Sequence, residues 1–308
     1  MTGLRQAVEE YLTIRRRLGY KLKGADRLLS DFVTHLELNG SSIITTDLAL
    51  VWARQRPGAH PNRWAERLTV VRGLAGYLHA IDSRHEVPPA DLLPARPQRA
   101  TPYLYGEGDV LRLMAAARKL DPPLRAATYE ALVGLLATTG MRVGEAIRLD
   151  HADLNWPENL LVVRSSKFGK SREIVLHPSA VASLRDYDRC RRRLCPRPRT
   201  PAFFVSTAGT RLFYQNFHHV FTGLLRDAGI ELLSTRSRPR PHDLRHSFAV
   251  NTLLDWYRAG LDASSRMHLL STYLGHTEPA NTYWYLSAAP ELMALAGERL
   301  ENDMGELP

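Results

Sequence analysis

The sequence predicts a mainly α-helical protein with one small β-hairpin, built as a helical N-terminal domain followed by a mixed, mostly helical second domain. Three observations predict it. Apolar residues recur near a 3.6-residue period through residues 1–82. Pro88, Pro89, Pro94, Pro97 and Pro102 then break any continuous helix. Beyond about residue 107 helical patterning resumes, and the β-branched runs "ENLLVVRSS" and "REIVLH" flank "KFGK", a turn signal centred on Gly169.

Taken in order, "LRQAVEEYLTIRRRLGY" places Leu4, Val8, Tyr11, Leu12 and Ile14 on one helical face and stops at Gly19. "GADRLLSDFVTHLELNG" repeats the pattern and ends on Gly40. "TTDLALVWARQ" is a short third helix with Thr45 or Thr46 as its cap, and "PNRWAERLTVVRGLAGYLHAID" is a fourth, opened by Pro61. These make a four- or five-helix domain over residues 1–85, followed by an extended linker over 86–104. The second domain spans 105–308. Its helices are expected at about 179–193, 213–228, 242–258, 264–275, 279–286 and 289–301, and "PAFFVS" is a further short strand.

Composition bounds the function. The 308 residues are 44% hydrophobic and 24% charged, enough apolar material for a packed core. No run of about 18 apolar residues reads as a membrane helix. The first residues carry acids and no apolar segment of a signal peptide. Cys190 and Cys195 make no disulfide framework, and a reducing cytoplasm suits them. The net charge of +9 points to a polyanion. Between Arg189 and Arg240 there are 11 arginines against Asp227 and Glu231, so the excess is local. That favours nucleic acid over loops that merely sit in solvent. Only five basic residues are lysine, and Lys167 and Lys170 both fall in "SSKFGKSREIVLH". Lysine gives up a proton more readily than arginine, so a lysine kept among arginines is a candidate proton donor; chance placement is the alternative.

Four separated clusters carry possible chemistry. In "TTGMRVGEAIRL", Arg142 and Glu145 stand three apart at a helix start, either as a phosphate contact with its orienting carboxylate or as a plain surface pair. The hairpin holds Lys167. In "RPRPHDLRHSFAV", His242 and Arg245 share a helix face behind an arginine-proline arm, with Asp243 and His246 expected to face elsewhere. In "YLGHTEPANTYWYL", His276 is followed nine residues on by Tyr285. Nothing in the set has metal-ligand spacing and there is no glycine-rich phosphate loop, so neither a metal nor ATP is implied and no cofactor is expected. Cationic side chains on a phosphodiester remain as the chemistry.

Together these pieces resemble the tyrosine recombinase, or phage integrase, family: "TGMRVGEAIRL", "KFGKSREIVL", "PHDLRHSFA", "YLGH" and the tyrosine at His plus nine, in that order, over about residues 107–290. The resemblance implies a helical core-binding domain at the N-terminus and a recombinase catalytic domain after it. It implies site-specific DNA recombination through a 3′-phosphotyrosine bond, with a recombination site in duplex DNA as partner and a tetramer on two duplexes as the working assembly. By the same resemblance Arg142 and Arg245 hold the phosphate oxygens and Tyr285 is the nucleophile. Lys167 protonates the leaving 5′ oxygen, His242 assists proton transfer at the tyrosine, His276 bonds the phosphate, and Glu145 orients Arg142. Tyr273 and Tyr283 lack the nine-residue spacing, and Tyr283 and Trp284 are expected to pack.

The span from Arg245 to His276 is several residues longer than in compact relatives, which hints at a transposon-borne subgroup, and no extra arm-binding domain is expected before the first helix. Arg191, Arg192 and Arg193 in "CRRRLC", with Arg236, Arg238 and Arg240 in the arm, are expected to face DNA. The apolar positions Leu292, Met293, Leu295, Ala296 and Leu300 mark a tail helix that docks on a neighbouring protomer or folds back. The rival readings are a type IB topoisomerase-like enzyme and a non-catalytic DNA-binding relative.

Overall fold

A computed structural model of the chain describes residues 2–22, 24–55, 58, 60–93, 101–164, 171–230, 238–276, 278 and 280–288. Backbone contacts divide the chain into two compact units, Met1–Arg99 and Ala100–Pro308.

The first unit contains α1 (Thr2–Arg17), α2 (Ala25–Leu38), α3 (Thr46–Arg54) and α4 (Pro61–His79). Spacing dictates which face each buries: Ala25, Leu29, Phe32, Val33 and Leu36 of α2 turn inward and meet Trp52, Leu68, Val71 and Leu74. The Thr45 hydroxyl accepts from the Leu48 amide at 3.3 Å and caps α3. Arg67 is buried because its guanidinium has a defined place, 3.8 Å over the Trp52 ring and bonded to the Trp52 carbonyl.

The second unit runs α5 (Glu107–Arg118), α6 (Pro123–Thr139), α7 (Val143–Arg148), a 3-10 turn, then β1 (Leu154–Asn155), β2 (Leu160–Val163) and β3 (Arg172–Val175). The strands form an antiparallel sheet in the order β1-β2-β3, with Val163 opposite Arg172. Helices α8 (Pro178–Leu194), α9 (Tyr214–Asp227), α10 (Asp243–Arg258), α11 (Ala263–Leu274) and α12 (Ala280–Ala288) follow. The larger core joins α6, the sheet and α9 through Leu132, Val133, Leu161, Ile174, Phe217 and Phe221. A second core gathers Leu253, Met267, Leu274 and Tyr285 from α10, α11 and α12.

"PAFFVS" is not a strand. It makes only isolated bridges, Asp150 with Ala202 and Val205 with Arg211. Phe203 and Phe204 are both fully buried, whereas consecutive residues of a strand point to opposite faces. The two-residue β1 went unforeseen for want of any pattern. Lys167, Arg236, part of the 86–104 linker and the tail helix expected at 289–301 lie outside the described residues.

Candidate active site

The site is assembled from the ends of α6 and α11, the starts of α7 and α10, the first residue of β3, and α12. Helix α6 ends at Gly140 with φ of +58°, and a Cβ there would stand 2.4 Å from the Phe248 ring, so only glycine fits. The turn delivers Arg142 to the residue before α7. Its backbone amide donates to Glu145 Oε2 at 3.0 Å and its Nη1 to Oε1 at 2.9 Å. Arg172 completes the arrangement from β3, donating from Nη2 to Glu145 Oε2 at 2.8 Å and from Nε to the Tyr273 carbonyl at 2.8 Å. Glu145 is only 3% exposed. Burial alone would raise its pKa, but the bonds from Arg172 and Arg142 outweigh that and hold the carboxyl down at about 2. The pair is therefore a buried carboxylate clamped by two guanidiniums, not a solvated surface contact.

Arg245 rises from the first turn of α10 and is 2% exposed. Its Nη1 donates to the Gly140 carbonyl at 3.0 Å and its Nη2 to the Leu274 carbonyl at 2.8 Å, two acceptors that helix ends leave over. Burial and nearby Arg142 pull its pKa to about 10, so it stays charged, and it also hydrogen-bonds the Tyr285 phenol. Arg142 Nη2 reaches the Gly275 carbonyl at 3.3 Å. Gly275 ends α11 with φ of +68°, and a Cβ there would stand 2.9 Å from Arg172 Nη1. Both arginines are thus aimed by backbone carbonyls, which leaves further guanidinium N–H groups for an anion.

His242 lies just before α10, exposed to solvent yet with many protein atoms around it. That crowding, with Arg245 and Arg142 close by, lowers its pKa to about 4. His276 shares a 2.7 Å hydrogen bond between Nδ1 and the buried Thr282 hydroxyl, and burial with the same two arginines lowers it to about 3. Tyr285 is 2% exposed, its ring stacked 5.9 Å from His276. Tyr283 is 51% exposed and does not pack as expected; Trp284 does, 5.1 Å from the His246 ring. Tyr273 is half-buried, with its phenol pushed by burial to about 12.

Arg142, His242, Arg245, His276, Tyr285 and Glu145 therefore converge on one site from three stretches of sequence. Two residues there were not anticipated. Arg172 joins Glu145 across 27 positions, and no local pattern announces it. His246 was expected to face away but stands edge-on to Tyr285 at 5.4 Å and to His242 at 4.8 Å. Here a signal existed, since residues four apart on a helix share a face. Asp243 is fully buried, its carboxylate taking the Arg240 amide and guanidinium.

Of the arginines expected to face DNA, Arg192, Arg193, Arg238 and Arg240 are exposed, Arg192 pairing with Asp188 and Arg240 with Asp243. Arg191 is buried and donates to the Ala202 carbonyl at 3.0 Å, so the expectation fails for that residue. Both cysteines are free thiols. Among the described residues no helix is long and apolar enough to cross a membrane, and no group of three His, Cys, Asp or Glu side chains could hold a metal ion. The site's own charges are three guanidiniums against one carboxylate, with a phenol beside them, a net positive arrangement suited to an anion.

Comparison with known proteins agrees with this chemistry. Residues 105–291 match the Phage integrase family. The putative integrase/recombinase y4rB of Sinorhizobium fredii (strain NBRC 101917 / NGR234) is 46% identical over 310 residues, covering 98% of both chains. The tyrosine recombinase XerD of Listeria monocytogenes serovar 1/2a (strain ATCC BAA-679 / EGD-e) is 26% identical over 92% of this chain and 94% of its own. Among solved structures, the Tn1549 transposon integrase in complex with transposon right end DNA superposes with a TM-score of 0.67 at 16% identity, covering 97% of this chain and 99% of that one. A lambda integrase tetramer bound to a Holliday junction gives a TM-score of 0.62 at 18% identity, covering 92% and 76%. At those identities the likeness is one of fold. The family match and the relative that spans the whole length carry the assignment: this chain belongs to the phage integrase family and is a tyrosine-type site-specific recombinase.

Proposed function

We propose that the enzyme cleaves and rejoins duplex DNA at its recombination site through Tyr285. The observation that carries this reading is the placement of the Tyr285 phenol against Arg245, with Arg142 in the same cleft. The two arginines hold the non-bridging oxygens of the scissile phosphate and stabilise the charge that develops on them. The Tyr285 oxygen bonds to phosphorus and the bond from phosphorus to the 5′ oxygen breaks, giving a 3′-phosphotyrosine and a free 5′ hydroxyl. His242 accepts the phenolic proton; crowding by protein atoms and the nearby Arg245 and Arg142 lower its pKa, which favours the neutral form a base requires. Lys167 supplies the proton to the departing oxygen, and His276, braced by Thr282, bonds the phosphate. Glu145 and Arg172 hold Arg142 in position. The phosphotyrosine keeps the energy of the broken bond, so a second strand's 5′ hydroxyl reverses the step without a cofactor.

The working assembly is a tetramer on two duplexes; lambda integrase forms a tetramer bound to a Holliday junction. Arg192, Arg193, Arg236, Arg238 and Arg240 contribute phosphate contacts, so affinity falls steeply with salt. The test is a covalent trap. Wild type, Tyr285→Phe and Tyr283→Phe are incubated with DNA from the flanks of the gene and examined for a protein–DNA adduct that survives SDS. An adduct lost only with Tyr285→Phe supports the assignment; an adduct formed by Tyr285→Phe refutes it.

A further inference from the structure

We propose that His246 is a positioning residue for the nucleophile: its imidazole seats the Tyr285 ring, and its Nδ1 gains a hydrogen bond when the site closes on DNA. The proposal rests on Tyr285 being the nucleophile.

Two imidazoles bracket the Tyr285 ring. His276 lies nearly parallel to it, at 25°, and His246 stands edge-on, at 63° and 5.4 Å. His246 also meets the Trp284 ring at 5.1 Å and the His242 ring at 4.8 Å. It is therefore the side chain of α10 that touches both the residue before that helix and two consecutive rings of α12. Any movement of Tyr285 toward a phosphate must change these contacts.

The two brackets differ in one respect. The Nδ1 of His276 is pinned by Thr282, whereas the Nδ1 of His246 is buried with no hydrogen-bond partner among the described residues. A buried polar atom without a partner costs free energy, and most such atoms in native proteins are satisfied. If His246 served only to fill space between α10 and α12, an apolar ring would do so without that cost. An unpaired nitrogen weakens the packed arrangement relative to one in which it is paired, and so eases the shift of α12. The group stays uncharged meanwhile. Burial, His242, Arg240, Arg245 and His276 all oppose protonation. A neutral imidazole retains one nitrogen that accepts and one that donates.

The experiment uses the full-length protein and a nicked duplex that traps the covalent adduct. Single-turnover cleavage, DNA affinity and melting temperature are measured for wild type, His246→Phe and His246→Asn. Phenylalanine keeps the ring and removes both nitrogens; asparagine returns a polar atom near the Nδ1 position. His246→Phe is expected to melt at or above the wild-type temperature and bind DNA like wild type, yet cleave roughly three- to tenfold more slowly, the scale of one lost hydrogen bond. His246→Asn is expected to recover part of the rate. A second substrate carries sulfur at the bridging 5′ position, a leaving group that needs no proton. It should not rescue His246→Phe, because the defect lies on the nucleophile's side. A wild-type rate for His246→Phe, equal rates for the two variants, or rescue by the sulfur substrate would each overturn the proposal. Tyr285→Phe run alongside separates this from failure of the underlying assignment: an adduct from that variant refutes the nucleophile itself.

Discussion

Glu145→Gln should destabilise the catalytic domain by about 3 kcal/mol at pH 7, and the loss should fade with acid. The carboxylate is 3% exposed and accepts from the Arg142 amide, Arg142 Nη1 and two nitrogens of Arg172. Lowering its pKa from 4.5 to about 2 corresponds to about 3 kcal/mol at neutral pH. A carboxyl whose folded pKa is depressed contributes fully above its unfolded value and loses that contribution as pH falls through the folded one. About half should be gone near pH 3. Glutamine keeps the shape but turns an NH₂ toward guanidinium donors and leaves Arg172, with its side chain 11% exposed, short of its counter-charge; breaking such a buried pair costs about 3–5 kcal/mol. Urea denaturation of both proteins at pH 7, 5, 4 and 3 measures the gap. A gap below about 1 kcal/mol at pH 7, or one that stays constant down to pH 3, would refute the clamp.

Gly140→Ala should cost about 2–4 kcal/mol, because a left-handed φ is combined with a Cβ 2.4 Å from the Phe248 ring; thermal melting checks it. Arg245→Lys should bind DNA yet form no detectable adduct, since an ammonium cannot hold the Gly140 and Leu274 carbonyls and the phosphate together; gel shift and the SDS trap read the two effects separately. Arg172→Ala should slow cleavage with little change in DNA affinity, because the residue acts through Glu145 on Arg142; single-turnover rates and a binding isotherm separate the two.

The helices were legible because each buries one stripe: the apolar spacing over 25–38 or 214–227 is a one-dimensional record of which face meets the core. The order of the motifs was equally legible, and it located six of the residues that meet at the site. What escaped were partnerships set by tertiary contact. Arg172 belongs to Glu145 only because its side chain, from the first residue of β3, reaches across 27 positions to the start of α7. "PAFFVS" has β-type residues, yet the core receives both phenylalanines and the strand register fails. Arg191 was readable after all. Ala180, Leu184, Tyr187, Asp188 and Arg191 follow helical spacing along the buried face of α8, so that spacing predicts an inward arginine that the charge count alone concealed.

The histidines tie recognition of the phosphate to proton balance. His242 and His276 are held at about 4 and about 3 by burial and by the positive charge of Arg245 and Arg142. A phosphodiester between those arginines brings a negative charge to the same place and removes part of the repulsion, so both pKa values must rise when DNA binds. At pH 6 the protein should therefore take up protons on binding, and by linkage its affinity should strengthen as pH falls from about 7 toward 5. Calorimetric titrations with the flanking DNA in buffers of different ionisation enthalpy measure the uptake directly. His242→Gln and His276→Gln should each reduce it, which separates the cleft from surface histidines near the duplex. Binding heats independent of the buffer at pH 6 would mean that the arginines, not the DNA, set the charge of these imidazoles throughout, and that His242 enters the reaction as a neutral base with no help from the phosphate.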